Sequence, residues 1–305
     1  MTTHPPFPRP LPRLALVVGA GGVRGAAAIG VADALEREGF RIDLVVGCSG
    51  GAIFGAAIAA GMPAYHALET AMSLWRPELT RRRRRGAWAR LLAPRLLGFD
   101  AGFSLRDPRP MEGAFDTAFH GLRLEALPAP LRVAVTDADT GRGAVLATGP
   151  VTLALRASVA VPFLFPPLVL GGRRLVDGAL SDPLPVAAAA DAGAVIAVGF
   201  QGPLPARVDR PARLVGQVST ALVNNLQEAR LEAARASGMR VLALDVPLER
   251  KVGLFDVEAM PHLFRAGQAA VVRHLPAIAS LVEAQGRPGR GAPPVSPREP
   301  AVTPA

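Results

Sequence analysis

The sequence predicts an α/β fold built on a mainly parallel central sheet. Three observations carry this. Short apolar runs alternate with longer stretches of helical periodicity along most of the 305 residues. Two of those runs stop abruptly in glycine-rich turns, at 19–25 and 47–51, and each turn leads at once into a helix-like segment. Half of the residues are hydrophobic while only 5% are aromatic, so Ala, Val and Leu must fill the core.

Leu14, Ala15, Leu16, Val17 and Val18 form the first strand, which breaks into Gly19-Ala20-Gly21-Gly22-Val23-Arg24-Gly25. Ile29, Val31, Ala32 and Leu35 then share one face of a helix that stops near Gly39. The next apolar run, 44–46, ends in Gly47-Cys48-Ser49-Gly50-Gly51 and passes into a small-residue helix over 52–60. Strand, loop, helix and strand make a βαβ unit, whose strands are parallel neighbours with a right-handed crossover. Further strands are expected at 131–136, 145–148, 195–199 and 241–246, with helices near 64–75, 151–157, 212–236 and 257–283. Residues 44–62 carry no charge, yet their glycines and their strand–turn–helix pattern mark a buried core segment and not a membrane span.

Composition divides the chain into a flexible Pro-rich N-terminus (1–12), one domain over 13–285, and a disordered tail (286–305) of Pro, Gly, Ser and Arg. Within the domain, 76–110 reads as a basic amphipathic insertion, partly helical and broken at Pro94, that serves as a lid or interfacial segment. It opens with Arg81, Arg82, Arg83, Arg84 and Arg85 and continues through Trp88, Leu91 and Leu92, the mixture suited to anionic head groups and an acyl boundary. No stacking aromatics interleave the arginines, which argues against nucleic acid. The net charge of +9 says little by itself, since all but one of the 34 basic residues are Arg, Lys251 being the exception, and such a skew reads as compositional bias. The lone cysteine, Cys48, excludes an internal disulfide and a cysteine-built metal site. The first twelve residues lack the apolar core of a secretory signal, so a cytoplasmic protein, peripheral at the membrane, is expected.

The chemistry starts at Gly47-x-Ser49-x-Gly51, the grammar of a nucleophile elbow: a strand stops, the backbone turns sharply and a helix begins with one hydroxyl exposed. A side chain at Gly47 or Gly51 would crowd strand against helix. A serine nucleophile needs a base and donors for its oxyanion. Gly21, Gly22 and Val23 are the candidate donors, because adjacent strands of a βαβ unit deliver both turns to one carboxyl edge. A dinucleotide fingerprint fits that loop less well, since Arg24 stands where the third glycine belongs. None of the five histidines (His4, His66, His120, His262, His274) follows a strand in a turn. Asp177 does, in Asp177-Gly178-Ala179 after Leu175-Val176, and a partly desolvated aspartate can act as the base.

These three motifs, in this order, resemble the signatures of patatin-like phospholipases of bacterial type. Thr136-Asp137-Ala138-Asp139-Thr140-Gly141 and Arg156-Ala157-Ser158-Val159-Ala160-Val161-Pro162 resemble two further stretches of that family, and the likeness runs from about Leu14 to Val246. Ala20 replaces a glycine common in the family's loop, and Asp182 stands where Asn is usual. The resemblance implies a three-layer sandwich with helices on both faces of the sheet and a Ser49–Asp177 dyad that needs neither histidine nor metal. It implies an oxyanion held at Gly21, Gly22 and Val23, and hydrolysis of acyl esters of phospholipids or lysophospholipids without a cofactor. Arg24 is then a structural ion-pair partner or a head-group contact. Two alternatives stand beside it: an esterase with a Ser-His-Asp triad using His262 or His274, and a non-catalytic lipid-binding member of the family.

Overall fold

The computed structural model describes residues 11, 13–80, 82, 84, 86–96, 98–205, 207–247 and 252–284. The N-terminus through residue 10, the tail 286–305, and Arg81, Arg83 and Arg85 lie outside the described residues. In chain order the elements are β1 (Leu14–Val18), α1 (Ala26–Arg37), β2 (Leu44–Cys48), α2 (Gly50–Ala59), α3 (Ala64–Leu74), α4 (Pro77–Thr80), α5 (Ala87–Leu92), α6 (Arg109–Phe119), β3 (Leu131–Asp137), β4 (Gly143–Leu146), α7 (Val151–Ser158), β5 (Leu168–Leu170), β6 (Arg173–Asp177), β7 (Ala194–Val198), α8 (Pro211–Ala236), β8 (Val241–Ala243) and α9 (Met260–Glu283).

Strands β1 and β2 are buried along their whole length, as parallel strands covered on both faces must be. Alternate residues face opposite layers. Leu14, Leu16 and Val18 join the larger core with α1, α2, α3, α6, α7 and α9, while Ala15 and Val17 turn to a smaller one with Leu184, Val186 and α8. The sheet is therefore the middle of three layers, the second helical layer being the thinner. Each fully buried Leu, Ile or Val contributes about 1.5–3 kcal/mol, and the small residues of α1 and α2 let their backbones approach the sheet closely. Among the described residues no helix is long and apolar enough to cross a membrane.

Pairing runs β5-β6-β3-β2-β1-β7-β8, with β4 also on β3. Strands β3, β2, β1, β7 and β8 are parallel, and the β1–β2 pair follows the expected βαβ unit. The registers show how β3 takes three partners. Val133 has Gly47 on one side and Leu146 on the other, while Val135 has Asp177 and Ala144. Since β4 keeps one edge throughout, β2 and the antiparallel β6 must share the other edge, end to end. The last residue of β2, Cys48, pairs with Ala134, and the last of β6, Asp177, pairs with the next residue, Val135. Two strands thus meet head-on, and whatever follows β2 faces the end of β6.

The sequence did not announce the β5–β6 hairpin. Its strands are three and five residues long, Arg173 and Arg174 interrupt the apolar pattern, and Val169 and Leu170 are exposed. Helix α6 (Arg109–Phe119) was not among the expected helices either, and elsewhere the differences are of length: β4 begins at Gly143 and β8 ends at Ala243.

Candidate active site

Ser49 follows β2 directly and caps α2 with φ 54° and ψ −127°, a conformation that L-residues seldom adopt and that the elbow imposes. The fold tolerates no bulk around it. A Cβ at Gly51 would lie 2.4 Å from the carbonyl oxygens of Val18 and Gly19, and one at Gly50 would lie 2.7 Å from the Gly22 carbonyl oxygen. The second of these contacts brings the two glycine-rich turns into touch.

The Ser49 hydroxyl donates to Asp177 Oδ2 at 2.6 Å. Asp177 is 3% exposed, and its other carboxylate oxygen accepts the Ala179 N–H at 2.8 Å. Thr136 Oγ1 holds the Asp177 carbonyl oxygen at 2.9 Å. Burial pushes the Asp177 carboxyl up to about 6 against the opposing pull of the Ser49 and Ala179 hydrogen bonds, so at neutral pH it is an anion of raised basicity. Ser49 has a second anchor, to which the sequence reading gave no role. Its N–H donates to Ser158 Oγ at 2.8 Å, and Ser158 in turn donates to the Ala134 carbonyl at 2.8 Å. Ser158 is fully buried in the Arg-Ala-Ser stretch, which was the signal that could have found it. Burial, then the nearby Asp177 and Asp182 charges, push the Cys48 thiol well up, leaving it a neutral apolar neighbour.

The loop after β1 lies over the start of α2. Ala20 N–H donates to Pro183 O at 2.7 Å, and Val23 N–H donates to Leu254 O at 3.1 Å. Of the three expected donors, the Val23 N–H thus already has a partner. Gly21 and Gly22 N–H have no hydrogen-bond partner among the described residues, and neither has Gly50 N–H at the first turn of α2. Among the described residues Arg24 makes no ion pair. At 6% exposure its Nε donates to Gly21 O at 3.0 Å and its Nη1 to Gln201 O at 2.8 Å, and burial lowers its pKa. It ties the loop to the segment after β7. Gln227 of α8, also buried, does the same from the other side: it accepts the Phe200 N–H at 3.1 Å and reaches the Ala20 and Phe200 carbonyls at 3.4 Å. Nothing in the local sequence around Gln227 signals this.

His274 directs Nδ1 to Ala270 O within its own helix, and His262 lies near the start of α9. His66 is in α3 and His120 follows α6, both exposed, while His4 lies outside the described residues. Asp182 Oδ1 makes no hydrogen bond, its nearest cation being Arg230 Nε at 3.5 Å, and burial raises its pKa. In the basic insertion Trp88 is 60% exposed, Arg82 Nε lies 3.7 Å from Asp107 Oδ2, and Arg84 donates to Ser104 Oγ. Leu105 N–H donates to Phe163 O, which joins the insertion to the loop between α7 and β5. Among the described residues no group of three His, Cys, Asp or Glu side chains gathers as a metal site.

A serine hydroxyl on a desolvated carboxylate, with unpaired N–H groups at the same turn, can deprotonate, attack a carbonyl and hold the oxyanion. The family model described as patatin-like phospholipase matches residues 16–190. An uncharacterized NTE family protein of Mycobacterium bovis is 36% identical over 193 residues, 63% of this chain and 50% of its own length. The lysophospholipase NTE1 of Mycosarcoma maydis is 32% identical over 175 residues, 57% of this chain and 9% of its own. Human GIVD cytosolic phospholipase A2, solved with methyl γ-linolenyl fluorophosphonate, has a TM-score of 0.49 at 10% identity, over 90% of this chain and 59% of that one. The chain thus spans about half the length of the Mycobacterium bovis relative.

Proposed function

The chain belongs to the patatin-like phospholipase family, and from that premise we propose that it hydrolyses acyl esters of phospholipids or lysophospholipids through a Ser49–Asp177 dyad. The observation that carries the proposal is the 2.6 Å hydrogen bond between Ser49 Oγ and a buried Asp177 whose pKa is raised to about 6. A base of that strength is still ionised at neutral pH yet holds a proton better than an ordinary aspartate. The name of the lysophospholipase from Mycosarcoma maydis supports a lipid substrate class.

In the proposed cycle Asp177 takes the Ser49 proton as Oγ attacks the acyl carbonyl. The tetrahedral oxyanion is held by the N–H groups of Gly21 and Gly22, with that of Gly50, the residue after the nucleophile, and by the positive end of α2. Collapse expels the alcohol, which takes the proton back from Asp177. Water, deprotonated by Asp177, then attacks the acyl-serine, and collapse releases the fatty acid as Ser49 Oγ takes the proton back from Asp177. Trp88 and the arginines from Arg81 to Arg85 supply a first contact with the lipid surface. A panel of phospholipids, lysophospholipids and p-nitrophenyl esters, offered to wild type and Ser49→Ala, is the test. Turnover should fall at least about 10⁴-fold in the variant for every ester that the wild type cleaves. Comparable turnover by both proteins would sink the proposal.

A further inference from the structure

The second helical layer is thin where α8 begins, and the helix there is two-sided. Each residue turns a helix by about 100°, so Leu214, Val215, Val218 and Leu222 fall on one stripe roughly 100° wide. They are 52%, 65%, 51% and 64% exposed. Asn224 and Gln227 fall on the opposite side, and that side holds the protein: Asn224 accepts the Gly202 N–H at 2.8 Å and donates to the Gly202 carbonyl at 2.9 Å, and Gln227 reaches the Ala20 carbonyl. β7 ends at Val198 beside Val18 of β1, so α8 starts from the same edge that carries Ser49. With Asn224 level with Gly202 just past that edge, the thirteen residues 211–223 carry the helix roughly 20 Å farther, at 1.5 Å per residue.

We propose that this outward stripe of α8 docks the protein on an anionic phospholipid surface and sets the mouth of the site against it. The proposal rests on the reading of that site as a lipid acyl hydrolase. Charge selects the occupant. Arg207, Arg210 and Arg213 gather at the start of α8 against Asp209 alone, and 211–227 contains no Asp or Glu. Cations at a helix N-terminus have the wrong sign for the helix dipole, and anionic head groups offset both. A second copy docked through the same end would instead set one arginine cluster against another. The stripe sinks into the acyl boundary while the arginines meet head groups, the division of labour of an interfacial helix. Its inner side, through Gln227 and Ala20, holds the loop that supplies the oxyanion donors.

The test measures flotation with vesicles of phosphatidylcholine and phosphatidylglycerol, in a Ser49→Ala parent so that no lipid is consumed. Leu214→Ser/Val218→Ser/Leu222→Ser should weaken binding by about tenfold or more, with the thermal midpoint kept. Arg207→Glu/Arg210→Glu, at two exposed residues, should lose the preference for phosphatidylglycerol over pure phosphatidylcholine. Parent-like binding by both variants overturns the proposal. So does a parent that is dimeric in solution and that the triple variant turns monomeric without changing vesicle affinity, since the stripe then serves a second copy. The two readings fail separately: if the wild type cleaves no lipid while the parent floats and the triple variant does not, docking stands and the assigned activity falls.

Discussion

Two glycine-rich turns meet at the carboxyl edge of the sheet, and they are held in different ways. The elbow 47–51 is fixed from within: β2 pairs on both sides, Gly51 lies on the end of β1, and Ser158 clamps the Ser49 N–H from the adjacent α7. The loop 19–25 is fixed from a distance, by Arg24 on Gln201, Gln227 on Ala20 and Leu254 on Val23. Close-packed backbone admits one geometry, whereas two of the ties on the loop are side-chain clasps that can be loosened one at a time. In the proposed mechanism the nucleophile and the Gly50 donor therefore belong to the more rigid turn, and the Gly21 and Gly22 donors belong to the more adjustable one.

The hardest blow to the rigid side is Asp177→Asn. Removing the base should lower kcat by about 10³-fold, and the wild-type kcat/KM should fall tenfold per pH unit below about 6. Stability should move the other way. The folded pKa of Asp177 lies above its unfolded value, so its cost is absent below about pH 4, grows as pH rises and is complete above about 6. Asn carries no such cost, and its amide still pairs with both Ser49 and Ala179. At pH 8 the variant should be more stable than wild type, by on the order of 3 kcal/mol, in urea unfolding. A flat pH profile down to 4.5, or a less stable Asn variant, would move the base elsewhere.

This contrast also explains what the sequence made legible. Elements whose cause is local were readable: β1, β2, the elbow and the crossover helix follow from apolar runs, small residues and glycines within 14–60. Asp177 was readable because a strand end and a tight turn announce it. What makes Asp177 meet Ser49 was not, since it depends on β6 running antiparallel and ending opposite Val135 on the edge that β2 vacates. The occupied Val23 N–H was equally hidden, because its partner, Leu254, lies 231 residues away and joins through an irregular segment. Helical periodicity placed α8, but could not say that its apolar stripe faces outward.

The next step down is Ser158→Ala, a smaller change at the rigid turn. It leaves the half-buried Ser49 N–H without its protein partner, at about 1 kcal/mol or more, in a residue already held at positive φ. A kcat loss of about 10–100-fold at nearly constant KM should follow, with a thermal midpoint lower by a few degrees. Equal losses in kcat and in substrate affinity would show that Ser158 supports packing generally and not the nucleophile.

The smallest effect should come from Gln227→Leu, at the adjustable turn. Leu fills a similar volume, so the loss is of hydrogen bonds: the acceptor for Phe200 N–H, and two long donations of 3.4 Å to Ala20 and Phe200. Long bonds constrain weakly, and Arg24 still ties the same loop through Gly21 and Gln201. A kcat loss of about 3–10-fold is therefore expected, KM again unchanged, because displaced Gly21 and Gly22 donors weaken the oxyanion and not the ground state. Gln227→Glu separates the two parts of that loss. It keeps an acceptor for Phe200 N–H but cannot donate to the Ala20 carbonyl, so it should remain as slow as Gln227→Leu if the Ala20 contact positions the loop. Recovery of wild-type kcat by Gln227→Glu would assign the role to Phe200 instead, and a loss in Gln227→Leu as large as that of Ser158→Ala would show that the two turns are equally rigid.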